Sequence, residues 1–197
     1  MIKTFRVFGP TVGKGKLSRK FINTINNQIE KLILTKKNDY SSKLASQIKN
    51  EIKLSNSFVK KKLSKELTRN VKSYLIDSEI NKIKEIKILK LWVVKQLKNE
   101  YNPIHYHDGQ ISGVGYLKIP KNMNQNKMVK NKTIKTNGTI DFINGQKNFL
   151  SKSIYNLNPK LGDLLIFPNY LMHTAYPFNV DGERRSFSFN AKILFKK

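Results

Sequence analysis

Near residue 86 the hydrophobic pattern of this 197-residue chain changes period, and that change limits the folds open to it. Before it, apolar residues recur at helical spacing. Phe21, Ile25, Ile29 and Leu32 follow a capping Ser18, and Val59, Leu63, Leu67, Val71 and Leu75 step by four. Leu44, Ile48 and Ile52 predict a short helix between these two. Phe5 and Val7 read as a short strand ended by Gly9-Pro10, and residues 11–16 as a second. Beyond residue 86 the apolar runs are short and β-like: 88–97, 111–119, 138–143, 153–157, 163–167, 173–178 and 185–195. Turn residues such as Asn102-Pro103, Gly109, Asn137-Gly138 and Gly162 separate them. Short strands at regular spacing belong to a sandwich or barrel. The expected fold class is mainly β with N-terminal helices, one domain over 1–197, in which a mainly helical 1–85 supports a β core over 86–197. The Lys/Asn-rich stretch 121–136 has no period and reads as a loop.

The chain has no cysteine, so a transition-metal site must be built from His, Asp or Glu. The opening residues do not read as a signal peptide, and no run approaches the roughly 20 apolar residues that span a bilayer. A cytoplasmic protein with no membrane contact is expected. The net charge of +25 attracts polyanions at long range, so nucleic acid or an acidic surface is a candidate partner. No nucleic-acid-binding module accompanies the charge. Lys, Asn and Ile are abundant together, the bias of AT-rich coding sequences, which gives the lysines a reading as simple solvated positions.

All three histidines, His105, His107 and His173, lie in the β half. Residues i and i+2 of a strand share a face, so His105 and His107 can aim at one point. His173 follows the run Leu164-Leu165-Ile166-Phe167 on a late strand. A pair of imidazoles on an early strand and one on a late strand make a three-ligand site with positions left open. Asp108 is the rival to His107 and would need a bulge at Gly109 to turn inward. Further on, Arg184, Ser186 and Ser188 alternate with Arg185, Phe187 and Phe189. A guanidinium sharing a strand face with hydroxyls suits a carboxylate, which makes Arg184 the anion-binding arginine, with Ser186 beside it.

Four segments together resemble the Fe(II)- and 2-oxoglutarate-dependent dioxygenases, in particular the small HxH-type oxygenases of bacteria and their phages. They are Asn102-Pro103-Ile104-His105-Tyr106-His107, Ser112 to Pro120, Gly162 to Pro168, and His173 with Arg184 to Asn190. The resemblance implies a double-stranded β-helix (a cupin-like jelly roll) with Fe(II) on His105, His107 and His173. It implies 2-oxoglutarate with its C5 carboxylate on Arg184, Ser186 and Tyr116, and dioxygen as the oxidant. The implied reaction is decarboxylation of 2-oxoglutarate to succinate and CO2, coupled to hydroxylation of a protein side chain, an amino acid or a nucleobase. Most of the wider superfamily has a carboxylate where this chain has His107. Two alternatives stand beside this reading. One is a cupin-like metal enzyme that does not use 2-oxoglutarate, which leaves Arg184 and Ser186 without a role. The other is a non-catalytic, nucleic-acid-binding phage protein.

Overall fold

The computed structural model describes residues 2–6, 9–35, 39–44, 46–123, 136–149 and 152–196. In chain order, strands β1 (Lys3–Arg6) and β2 (Thr11–Lys16) precede helix α1 (Arg19–Thr35). Strand β3 (Asn50–Lys53) is followed by a helix that starts at α2 (Asn56–Phe58), widens into a π turn over Val59–Leu63 and continues as α3 (Ser64–Asp77). Then come β4 (Ile83–Gln96), β5 (Asn102–His105), β6 (Ile111–Lys118), β7 (Ile140–Ile143), β8 (Ile154–Leu157), β9 (Asp163–Pro168), β10 (Met172–Ala175) and β11 (Arg184–Phe195).

The strands form two antiparallel sheets. The larger runs β1-β2-β9-β6-β11-β4-β3 and the smaller β5-β10-β7-β8. From β4 onward the chain crosses repeatedly between the sheets, which is jelly-roll winding. This is the double-stranded β-helix expected above. The helices cover the outer face of the large sheet. Phe21, Ile25 and Ile29 of α1 and Leu67, Val71 and Leu75 of α3 share one core with Leu91, Val93, Phe187, Phe189 and Ala191. Ser18 caps α1 by accepting from the Phe21 N–H at 3.1 Å, and Glu66 of α3 accepts in turn from the Ser18 N–H and hydroxyl.

The first 85 residues are not helical alone. They supply β1 and β2 on one flank of the large sheet and β3 on the other. Val7 lies outside the described residues, as do 124–135 of the expected loop. The helix expected over Leu44, Ile48 and Ile52 does not form. A 3-10 turn over Ser41–Lys43 and then β3 occupy that stretch. Asp39 accepts from both the Ser41 N–H and hydroxyl, a local turn that competes with helix, and β3 then pairs with β4. Ile52 packs in the helix-facing core, whereas Ile48 packs with Trp92 and Val94, so the spacing of four is not a helix face.

Between β6 and β11 the packing is unusually close. Gly113 and Gly115 pair with Phe189 and Phe187, whose rings occupy the space of the missing side chains. A Cβ on Gly113 would sit 2.3 Å from the Phe189 ring and 2.9 Å from the Leu165 carbonyl oxygen. Gly113→Ala is therefore expected to cost about 1–3 kcal/mol, as overpacking of a tight core does. Urea unfolding would show a lower midpoint at unchanged slope, while Gly9→Ala, with nothing within 4 Å of the new methyl, would leave it in place.

Candidate metal centre and its two flanking cavities

His105 ends β5 and His173 lies opposite it on β10, so the strand pairing itself brings their rings to 4.3 Å between centroids. His107 lies two residues beyond the end of β5. Asn169 holds that segment by accepting from the His107 N–H and donating its side-chain amide to the His107 carbonyl, each at 3.0 Å. One nitrogen from each of the three rings lies within 4.8 Å of the others. Trp92 stacks on His107 at 5.4 Å, and Phe167 meets His173 at 4.9 Å, so the rings are walled by aromatics.

The hydrogen bonds fix which nitrogen faces the centre. His105 Nδ1 bonds the Pro103 carbonyl at 2.7 Å, His173 Nδ1 the Leu171 carbonyl at 2.9 Å, and His107 Nδ1 the Asn190 side-chain oxygen at 3.0 Å. An oxygen of this kind only accepts, so each Nδ1 carries the proton and each Nε2 keeps its lone pair. His107 Nε2 and His173 Nε2 then face each other across 3.2 Å without a proton between them. Two lone pairs at that separation call for a cation. A proton is disfavoured, because burial lowers all three histidine pKa values, His107 to about 4 and His173 well below its ordinary value. A divalent transition metal fits this neutral, preoriented donor set. Asp108 is not part of it. Its side chain is 84% exposed and bonds Lys90 at 2.9 Å.

A recess behind the histidines is lined by His105, His173, Tyr116, Gln96, Arg184 and Ser186. Arg184 is 2% exposed and makes no ion pair among the described residues. Its partners are neutral: the Gly138 carbonyl at 2.6 Å and the Gln96 side-chain oxygen, with the Phe178 ring beneath it. Arg185, on the opposite face of β11, pairs instead with Glu183 and Glu30. Tyr116 is buried, and that burial raises its pKa to about 12, so it stays a neutral hydroxyl donor. In front of the histidines lies a second cavity of about 180 Å³, bordered by His105, His107, Trp92, Asn190 and Glu51.

Residues 90–190 match the family described as "Putative 2OG-Fe(II) oxygenase". The chain belongs to this family of oxygenases. Iron(II) and 2-oxoglutarate are the metal and cosubstrate of this family, and the histidine triad is its metal-binding set here. The fold is similar to that of a Pseudomonas putida prolyl-4-hydroxylase, with 10% identity, a TM-score of 0.60 and coverage of 94% of this chain and 93% of that one. It is similar to the viral collagen prolyl hydroxylase vCPH of Paramecium Bursaria Chlorella virus-1 (16%, 0.58, 94% and 96%). It is also similar to HygX of Streptomyces hygroscopicus with nickel and 2-oxoglutarate bound (12%, 0.57, 95% and 84%). No curated protein matches the chain. Among the described residues no helix is long and apolar enough to cross a membrane.

Three wall residues escape the sequence reading. Asn190 continues the period of Arg184, Ser186 and Ser188 along β11, so alternation alone could have found it. Gln96 and Glu51 carry no local signature.

In the metal-free protein the His107 ring is neutral down to about pH 4, while an unfolded histidine takes a proton near 6.5. The unfolded state therefore binds more protons between those values, and the contribution of this group to stability is complete above pH 6.5 and lost as pH falls toward 4. Measured by denaturant unfolding, the wild type is expected to lose stability relative to His107→Gln over that window. A difference that stays constant with pH would mean the ring is not held neutral.

Proposed function

We propose that the protein is a hydroxylase that couples decarboxylation of 2-oxoglutarate to hydroxylation of a substrate C–H bond, with succinate and CO2 as coproducts. The observation that carries the reading is Arg184. A guanidinium buried without a counter-charge costs several kcal/mol, and an anion arriving in the recess offsets that cost. Its forked donors match a carboxylate at two points. Ser186 and the neutral Tyr116 hydroxyl share the recess and complete a donor set for the far carboxylate of 2-oxoglutarate. The recess is narrow, about 30 Å³, so the cosubstrate enters by displacing the neutral groups that now sit on the guanidinium, Gln96 foremost.

His105, His107 and His173 are the residues that would hold iron, and iron bound there supplies the activation of dioxygen. The rest is positioning. The three Nδ1 hydrogen bonds hold the rings in one tautomer and one orientation. Trp92, Phe142 and Phe167 pack around the rings and limit their movement. Arg184 fixes the cosubstrate on one side of the histidines, and the front cavity receives the substrate on the other.

The test is anaerobic addition of Fe(II) and then 2-oxoglutarate, watching for the visible charge-transfer band of the chelate. Arg184→Ala is expected to weaken 2-oxoglutarate about a hundredfold, the scale of a lost buried charge pair of about 3 kcal/mol, while metal binding persists. Arg184→Lys, which lacks the fork, is expected to rescue little. Unchanged 2-oxoglutarate affinity in Arg184→Ala would favour a metal enzyme that does not use it.

A further inference from the structure

Among the described residues, buried charges are either ion-paired or satisfied at both carboxylate oxygens, with two exceptions that line the cavities beside the histidines. Asp163 is paired with Lys14 and Lys16, and Glu183 with Arg185 and Lys118. Asp141 has no cation among the described residues but accepts at both oxygens, from Asn156 and Tyr176. Arg184, behind the histidines, is the first exception. Glu51, in front of them, is the second.

Glu51 is 1% exposed and sits on β3, beside Val94 of β4. Its Oε2 accepts from the Ser46 hydroxyl at 2.6 Å, and its Oε1 receives no donor from the described residues. It makes no ion pair among them, although the chain carries 38 Lys and Arg against 13 Asp and Glu. Burial, then the neighbouring Asp39 and Glu100, push its carboxyl up to about 7 against the Ser46 hydrogen bond. It lines the same cavity as His105 and His107. Two carboxylates, Glu51 and Asp108, border that cavity against one cation, Lys90, which Asp108 already holds at 2.9 Å. With Asp108 and Lys90 paired, Glu51 is the wall group left without a charged partner among the described residues.

We propose that the cavity in front of the histidines takes a substrate group bearing a protonated amine, and that Glu51 selects it. The proposal rests on the hydroxylase reading above. An ammonium entering the cavity gives Oε1 its missing donor and Glu51 its missing counter-charge, and charge-assisted hydrogen bonds of this kind are the stronger ones. The cavity has room for a group of side-chain size, so the amine lies close to the carbon that reacts. A surface of strongly positive potential repels free amines at long range, so discrimination here comes from the buried carboxylate and not from steering.

Trp92 is the only tryptophan of the chain and borders the cavity, so its fluorescence reports occupancy. The probes are cadaverine and pyrrolidine, each against its N-acetylated neutral counterpart. They are titrated under argon into protein holding Fe(II) and 2-oxoglutarate, and again into metal-free protein. The wild type is expected to bind each amine at least about tenfold more tightly than its acetylated form, a difference of about 1.4 kcal/mol. Glu51→Gln, which keeps the shape and a partner for Ser46, is expected to bring the ratio near one. Glu51→Asp keeps the charge and is expected to retain the preference. Equal response to the two sets, whether both bind or neither does, overturns the proposal, as does a ratio that Glu51→Gln leaves unchanged. A charge-transfer band without amine preference sinks this inference alone, and amine preference without the band sinks the hydroxylase reading alone.

Discussion

Strand β11 carries two incompatible surfaces, and the rest of the molecule is arranged so that both are buried. One face presents Arg184, Ser186, Ser188 and Asn190 to the interior of the jelly roll. The other presents Arg185, Phe187, Phe189 and Ala191 to the helices. The helices cover one face and the small sheet lies over the other, so neither surface turns to water. The helical layer therefore belongs to the site as much as to the scaffold. Phe21 of α1 meets Phe187 at 5.4 Å, and Glu30 of the same helix pairs with Arg185. Seating the aromatic face against the helices fixes which arginine points inward.

The same strand measures out the site along its length. Asn190 supports His107 near one end, and Arg184 lies six residues away at the other, about 20 Å at strand rise. The hollows left by Gly113 and Gly115 hold Phe189 and Phe187 at one height against β6. A slip of one residue would put every polar side chain of β11 among the helices. The two-sided packing explains why such a slip has no place to settle.

Much of this was legible in the sequence because it is periodic. The change from helical to strand spacing located the core, and period two along β11 separated Arg184 from Arg185. Three histidines in the β half marked the metal centre. What was not legible lies between residues 39 and 53. There an Asx-type turn at Asp39 and Ser41 and a short edge strand replace an expected helix, because apolar residues four apart can serve two different cores as readily as one helix face. Glu51 sits in that stretch. Its burial comes from the tertiary pairing of β3 with β4, and nothing in its neighbours announces it. His107 joins the other two rings as the spacing predicts, yet it is the Asn169 clamp, not strand geometry, that delivers it beyond the end of β5.

Strand β5 is the edge of the small sheet, only four residues long, and its register with β10 is broken between His173 and Ala175. Few backbone hydrogen bonds hold so short and irregular a ladder. The two facing imidazoles on it work as a clasp, because an ion held between them adds a bond across the pair that the backbone does not supply. Ligand binding of this kind stabilises the folded state by mass action. Loss of the metal would thus loosen this corner of the barrel.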